Sequence, residues 1–153
     1  MILSDGTIRR NVLDGKLISK NYAEESLTPN GYDLRVGSIM IPPDAEQDSC
    51  TVPASSRFLV STMEEIHCPE NICGQIFIRS SFARKGIFSS FGFVDAGFHG
   101  ELTLSFYNAS SVPFAVSRGE RIAQIVFMAV DKSVENTYEK RSGNYQNSRG
   151  IRI

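Results

Sequence analysis

The sequence predicts an all-β domain, because short β-branched and aromatic runs alternate with Pro, Gly and Ser from about residue 29 onward. The clearest predicted strands cover 58–62, 76–78, 102–107, 113–116 and 122–130. No helical period separates these runs, which favours an antiparallel barrel, sandwich or jelly roll over an α/β fold.

The two ends of the chain differ from this pattern. Ser4 to Thr7 can cap one short helix that ends near Leu13, before Asp14 and Gly15. From about residue 135 the chain is polar and carries cations and glycines, which predicts a mobile C-terminal arm on a single domain of residues 1–153. Such an arm could close over an anionic ligand, although a frayed terminus is the simpler interpretation of composition alone.

Composition narrows the class of protein. The 153 residues are 41% hydrophobic, enough for one real core, and 16 Lys plus Arg against 17 Asp plus Glu leave no broad basic face for nucleic acid or a membrane. No signal peptide or bilayer-spanning run is visible, so a cytoplasmic protein is expected. Cys50, Cys68 and Cys73 are odd in number and widely spaced, which indicates small core residues rather than disulfides.

A basic segment follows one predicted strand. Residues 79–86 place three cations, two hydroxyls and a glycine within a single turn. Guanidinium groups pair with phosphate oxygens, and hydroxyl and backbone N–H groups add short donors, so the segment suits a polyphosphate. A solvated basic turn is an equally good interpretation at this point.

A lone carboxylate lies in a glycine-rich segment. Asp95 is placed between apolar neighbours and beside glycines that let a ligand approach the backbone. It could act as a base toward water, or it could simply cap its own turn. His67, Cys68 and Cys73 lack the second ligand pair of a zinc site, and the signatures of zinc deaminases and of P-loops are absent.

Four ordered segments resemble the motifs of the superfamily of trimeric dUTPases and dCTP deaminases. They are residues 30–34, 79–86, 94–100 and 119–124, and residues 1–5 are similar to the opening of the deaminase branch. The resemblance runs in order along nearly the whole chain. Chance matching of four ordered motifs is implausible.

The resemblance implies a β-clip or distorted jelly-roll subunit, a homotrimer with active sites at subunit interfaces, and Mg²⁺ bound through the substrate's triphosphate. It implies that Asp95 is the catalytic residue and that Phe98 stacks on a deoxyribose. Asp33 would support the water shell of the metal, or be a turn residue. The residues implied to bind substrate are Arg79, Ser80, Ser81, Arg84, Val94, Phe98, Gln124, Tyr138, Tyr145 and Gln146.

One position, Ser105, has the most weight in predicting the branch of the superfamily. Its deaminases use a glutamate as general acid and base where this chain has Ser105, and a hydroxyl cannot relay protons at neutral pH as a carboxylate does. Phe91 is bulky where deaminases carry Ala, and Glu101 is expected at the surface. The arm, with Tyr138 and residues 144–146, resembles the deaminase branch more, as do residues 1–5.

We therefore expect a deaminase-like scaffold that acts as a dUTP diphosphatase. Asp95 would activate water for attack on the α-phosphorus of dUTP, giving dUMP and pyrophosphate and so limiting uracil in DNA. Backbone groups of residues 89–94 would select uracil. One alternative is a dCTP deaminase, including a bifunctional one that forms dUMP; another is a non-catalytic nucleotide-binding protein.

Overall fold

The chain has eleven β-strands, three short α-helices and one 3-10 turn, Glu24–Ser26, in the computed structural model, which describes residues 1–153. The strands are β1 (Leu17–Lys20), β2 (Leu27–Thr28), β3 (Gly31–Met40), β4 (Ser49–Val52), β5 (Ser56–His67), β6 (Ile72–Ile78), β7 (Ile87–Ser89), β8 (Phe93–Val94), β9 (His99–Asn108), β10 (Phe114–Ser117) and β11 (Arg121–Ala129). The helices are α1 (Asp5–Leu13), α2 (Ser80–Ala83) and α3 (Tyr138–Arg141). The all-β prediction is confirmed, and every predicted strand falls on an observed one.

Helices occupy little of the chain. The predicted helix is α1, which begins after Ser4 and ends at Leu13. The single turns α2 and α3 were not predicted, because four residues are too short to show a helical period. None of the helices is long and apolar enough to cross a membrane.

The strands pair in a curled antiparallel sheet with a distorted jelly-roll form. Nine strands form it, in the order β7-β9-β5-β3-β11-β6-β8, with β1 on β5 and β2 on β3, while β10 and β4 form a separate pair. The long strand β5 changes register against β9 between Ser61 and Glu65. Such an irregularity bends a strand, which helps the sheet to wrap around its core.

Alternating burial along β9 decides which side chains reach the outside of the sheet. Leu104, Phe106 and Asn108 are buried, whereas Ser105 and Tyr107 between them are exposed. Successive side chains of a strand point to opposite faces, so the sequence pattern assigns Ser105 to the outer face. Phe106 stacks on Phe58 of β5 in the core, with ring centroids 5.1 Å apart.

The core contains one of the three cysteines. Cys68 is 1% exposed, Cys50 and Cys73 are partly buried, and all three thiols are free. Burial raises the pKa of the Cys50 and Cys73 thiols, and it raises that of Cys68 far above the ordinary value. The prediction of small packed residues without a disulfide agrees with these positions.

Asn108 closes the loop that follows β9, and we expect its loss to destabilise the chain. Its amide nitrogen donates to the carbonyls of Val52, Pro53 and Val112, at 2.9 to 3.3 Å, and its oxygen accepts from Ser110. Asn108→Ala leaves buried groups unpaired and should lower the free energy of unfolding by about 2 kcal/mol. Urea denaturation measures this; Ser110→Ala, which keeps the Asn108 donors, should cost less than half as much.

Candidate active site

A cavity of about 650 Å³ opens beside the outer part of β9. Its walls come from β9, from the segment between β7 and β8, from the turn after β8 and from the C-terminal residues. Its size falls within the range of small-molecule sites. Aromatic and aliphatic side chains form half of the lining, and the polar remainder includes Asp95, Glu101 and Ser105.

The turn after β8 presents Asp95 to this cavity. The chain turns at residues 95–98, where the Phe98 N–H donates to the Asp95 carbonyl at 3.1 Å. Gly97 has a φ of 87°, and a Cβ there would lie 2.5 Å from the Thr137 Cβ, so the approach of the C-terminal segment requires glycine. Asp95 is exposed, and its carboxylate has no hydrogen bond or ion pair within the chain. It is therefore free to contact a ligand.

Glu101 also lines the cavity, contrary to its predicted position on the surface. Its side chain is only 21% exposed. One oxygen accepts from the Gly150 N–H at 2.7 Å, and the other lies 3.6 Å from the Arg149 guanidinium. The sequence did not reveal these partners, which belong to the folded C-terminal segment. Glu101 is thus engaged by the chain, whereas Asp95 is not.

Ser105 faces the same cavity from the outer face of β9. It is paired with Leu59 of β5, and Arg57 lies two residues before Leu59 on the same face. The exposed guanidinium of Arg57 lines the cavity and has no carboxylate partner. Where the family resemblance implies a glutamate, this chain thus has the hydroxyl of Ser105, on the same face as the unpaired guanidinium of Arg57.

Aromatic rings form the side of the cavity near Asp95. Phe98 is 6% exposed and packs edge-on against Tyr138 of α3, with centroids 5.5 Å apart and planes at 69°. The Tyr138 hydroxyl accepts from the Tyr145 N–H at 3.0 Å, and Tyr145 remains 52% exposed. Phe98, Tyr138, Tyr145 and Val94 all line the cavity, so these four residues predicted to bind substrate lie together.

The C-terminal segment is folded against its own chain. The Gln146 side chain accepts from the His99 N–H and donates to the Gly97 carbonyl, both at 3.1 Å. Ser148 forms a bridge with Gly100, where φ is 147° and a Cβ would lie 2.8 Å from the Ser148 nitrogen. Gln146, predicted to contact substrate, is therefore engaged by the backbone around Phe98 in this conformation.

The remaining predicted binding residues form a second group outside the cavity. Arg79 lies at the N-terminus of α2, where its guanidinium pairs with Asp33 at 3.0 Å and donates to the Arg121 carbonyl. Gln124 donates to Thr28 at 3.1 Å. Ser80, Ser81 and Arg84 are exposed, and none of these side chains lines the cavity. The residues predicted to bind substrate thus form two separate groups on one chain, one lining the cavity and one outside it.

Asp33, predicted to support the water shell of a metal, is a buried ion-pair partner. Its side chain is 5% exposed and lies between Arg79 and Arg121, at 3.0 and 3.7 Å. The chain has no group of three or more His, Cys, Asp or Glu side chains placed to hold a metal ion.

Two buried glutamates in β5 were missed by sequence reasoning. Glu64 is fully buried, and Arg35 donates to it at 2.7 Å; burial nevertheless raises the pKa of Glu64. Glu65 is 3% exposed and has three side-chain hydrogen-bond donors and one further ion-pair partner. A pair of carboxylates inside an apolar run was the available signal, because buried charges require partners.

Glu65 gives a testable pH dependence. Burial opposes its ionisation, but hydrogen bonds from Lys20, Ser19 and His99 outweigh this effect and lower the pKa to about 2, from an ordinary 4.5. The unfolded chain then takes up this proton first, so the stabilisation is complete above about pH 5 and disappears as the pH falls toward about 2. Urea unfolding across that pH range should show that the free energy of unfolding falls more steeply with falling pH in the parent than in Glu65→Gln. Equal pH dependence in the two proteins would contradict this role of Glu65.

Comparisons with known proteins agree in pointing to one family. Residues 40–130 match the family model described as dCTP deaminase-like. The dCTP deaminase of Pyrococcus horikoshii is 41% identical, over 97% of this chain and 93% of its own. A protein of Sulfurihydrogenibium sp. named dCTP deaminase, dUMP-forming, is 33% identical, over 98% of this chain and 94% of its own.

Solved structures share the fold. The 2′-deoxycytidine 5′-triphosphate deaminase of Agrobacterium tumefaciens gives a TM-score of 0.72 at 24% identity, over 88% of this chain and 49% of that one. This chain thus spans about half the length of that protein. The dUTPase of Staphylococcus bacteriophage 80alpha gives 0.54 at 19% identity, over 79% of this chain and 90% of its own. The predicted superfamily and its fold are confirmed.

The predicted dUTP diphosphatase activity is wrong on these findings. Relatives at 31 to 41% identity over nearly the whole chain are named dCTP deaminases. The prediction gave most weight to Ser105, on the argument that a hydroxyl cannot relay protons as the glutamate of the deaminases does. The structure weakens that argument, because the cavity that contains Ser105 also contains the carboxylates of Asp95 and Glu101.

Proposed function

Because this chain belongs to the dCTP deaminase-like family, we propose that it deaminates dCTP, replacing the 4-amino group of the cytosine base with an oxygen from water. One observation carries the proposal: the unpaired carboxylate of Asp95 lies in one cavity with the ring of Phe98. Such a carboxylate can move protons, and an aromatic ring beside it provides a surface for the nucleoside.

The proposed chemistry needs a group that takes up a proton and returns it. Water adds to C4 of cytosine while Asp95 accepts one of its protons and passes it to the ring N3. Asp95 then accepts the proton of the new C4 hydroxyl and passes it to the amino group, so that the C4–N bond breaks and a C4 carbonyl remains. The products are ammonia and a uracil nucleotide, so atoms and charge balance. Asp95 suits this role because its side chain is exposed and has no partner within the chain, so it is free to contact the water and the base.

Substrate binding is proposed to use both groups of residues. The phosphates are held by Arg79, Ser80, Ser81 and Arg84, while Phe98, Val94, Tyr138 and Tyr145 surround the nucleoside. Magnesium arrives on the triphosphate. Asp33 orients Arg79 by its ion pair, which leaves other N–H groups of that guanidinium for phosphate oxygens.

The separation of the two groups leads us to propose that a second copy of the chain completes the site. A trimer, the assembly that the family resemblance implies, would supply it at each interface. Exposed aromatic side chains support self-association: Phe77, Phe88, Phe93 and Tyr107 are each 44 to 59% exposed. Light scattering on the purified protein measures the assembly.

The experiment is to incubate the protein with Mg²⁺ and dCTP, measure ammonia, and separate the nucleotides by chromatography. Release of one ammonia per dCTP consumed is the expected result. CTP is the matched control, because Phe98 against the sugar should disfavour a 2′-hydroxyl. Intact dCTP alongside hydrolysis of dUTP, or nucleotide binding without turnover, would overturn the proposal.

The same assay identifies the product. One relative, 33% identical to this chain, is named a dUMP-forming dCTP deaminase. The second candidate product beside dUTP is therefore dUMP. Chromatography separates dUMP with pyrophosphate from dUTP at early times, before secondary reactions accumulate.

A further inference from the structure

Glu65 is a buried carboxylate that the proposed reaction does not use. One of its oxygens accepts from Lys20 at 2.9 Å and forms an ion pair with the Arg149 guanidinium at 2.7 Å. The other accepts from Ser19 and lies 2.9 Å from the Nε2 atom of His99. Only 4% of the Glu65 side chain is exposed, so protein donors replace almost all of its contact with water.

The donors come from parts of the chain that are far apart in sequence. Ser19 and Lys20 belong to β1, and His99 begins β9 immediately after Phe98. Arg149 belongs to the strap, which we define as residues 144–153. Asn144, Tyr145 and other strap residues line the cavity, so Glu65 is bonded to two of the segments that form its walls.

We infer that Glu65 is a positioning residue that seats the strap beside the segment carrying Asp95 and Phe98, through its contacts with Arg149 and His99. Further bonds then align the strap along β9. The Asn147 N–H donates to the His99 carbonyl at 2.7 Å, and the Glu101 N–H donates to the Ser148 carbonyl at 2.9 Å.

Glu65 is the main anchor of Arg149. The other carboxylate within reach, Glu101, lies 3.6 Å from Arg149, too long for a direct hydrogen bond. The ion pair with Glu65 is shorter, at 2.7 Å, and it is less screened by water because that carboxylate is buried. Because Lys20, Ser19 and His99 remain in an Arg149 variant, Glu65 stays paired there and the fold should be retained.

Hydrogen exchange of the strap amides tests the inference without requiring any activity. Arg149→Gln and Glu65→Gln should each speed exchange in the peptide covering 144–153 by about tenfold or more. Glu64→Gln is the matched control, since Glu64 is a neighbouring buried carboxylate that contacts Arg35 and not the strap. Its strap exchange should equal that of the parent. Unchanged exchange in Arg149→Gln would overturn the inference.

Steady-state kinetics give the second readout, and only this one rests on the proposed function. Arg149→Gln should raise the KM for dCTP about tenfold and change kcat less than threefold, because the strap forms a wall and does not touch the reacting atoms. Arg149→Lys, which keeps the charge, should recover most of the KM. If the parent does not deaminate dCTP, the exchange result still decides the inference.

Discussion

Asp95→Asn is expected to lower kcat for dCTP deamination by about 1,000-fold and to leave the Kd for dCTP within about threefold of the parent value. The amide is nearly isosteric with the carboxylate but cannot take up a proton at neutral pH. Asp95 has no partner within the chain, so the change should not destabilise the fold. Ammonia release under single-turnover conditions measures the chemical step, and calorimetry with dCTP measures binding.

Glu101→Gln is the matched control for this experiment. Glutamine retains an oxygen that can accept from the Gly150 N–H, so the strap should stay in place. We expect a loss of less than about tenfold in kcat. If Glu101→Gln abolished deamination while Asp95→Asn left it intact, the proton relay would belong to Glu101 and our assignment would be wrong.

Ser105→Glu is expected to raise the rate of dCTP deamination by about 100-fold, the second largest effect. Ser105 is exposed and faces the cavity, so the longer side chain has room. Diagonal neighbours on adjacent strands lie about 7 to 8 Å apart, so the guanidinium of Arg57 can reach the new carboxylate and keep it ionised. Initial rates of ammonia release at saturating dCTP measure the gain.

The comparison that isolates proton transfer is Ser105→Gln. It has the same length and polarity as the glutamate variant but relays no proton, so it should show no gain over the parent. If neither variant gained activity over the parent, residue 105 would not face the reacting atoms. A gain in both would show that side-chain bulk at this position, rather than its charge, controls turnover.

Local sequence patterns predicted most of the fold, because strands can be recognised from their composition and from the turn residues at their ends. The run at 122–130 is apolar apart from Gln124, and it proved to be β11, a strand paired on both sides by β3 and β6. The two-residue strands β2 and β8 carry no pattern of their own. Their pairing partners define them, and those partners become visible only in the folded chain.

The site was predicted less completely than the fold. Asp95 and Phe98 are close in sequence and share one turn, so their proximity followed from a motif. The partners of Glu65 lie 34 to 84 positions away in β1, β9 and the strap, and no spacing rule connects them. The choice of reaction failed for the same reason: a substitution at Ser105 can be judged only with the other carboxylates of its cavity in view.

Adjacent carboxylates in β5 also bear on how that strand finds its alignment. Glu64 points to one face, toward Arg35, while Glu65 points to the other, toward Lys20 and Arg149. A slip of β5 by one residue exchanges the faces of all its side chains. Both carboxylates would then lose the cations that compensate their burial, at a cost of several kcal/mol for each stranded charge. The two glutamates thus help to fix the register of β5, because only one alignment of the strand neutralises both of them. Folding intermediates with a misaligned β5 are destabilised before the cavity forms.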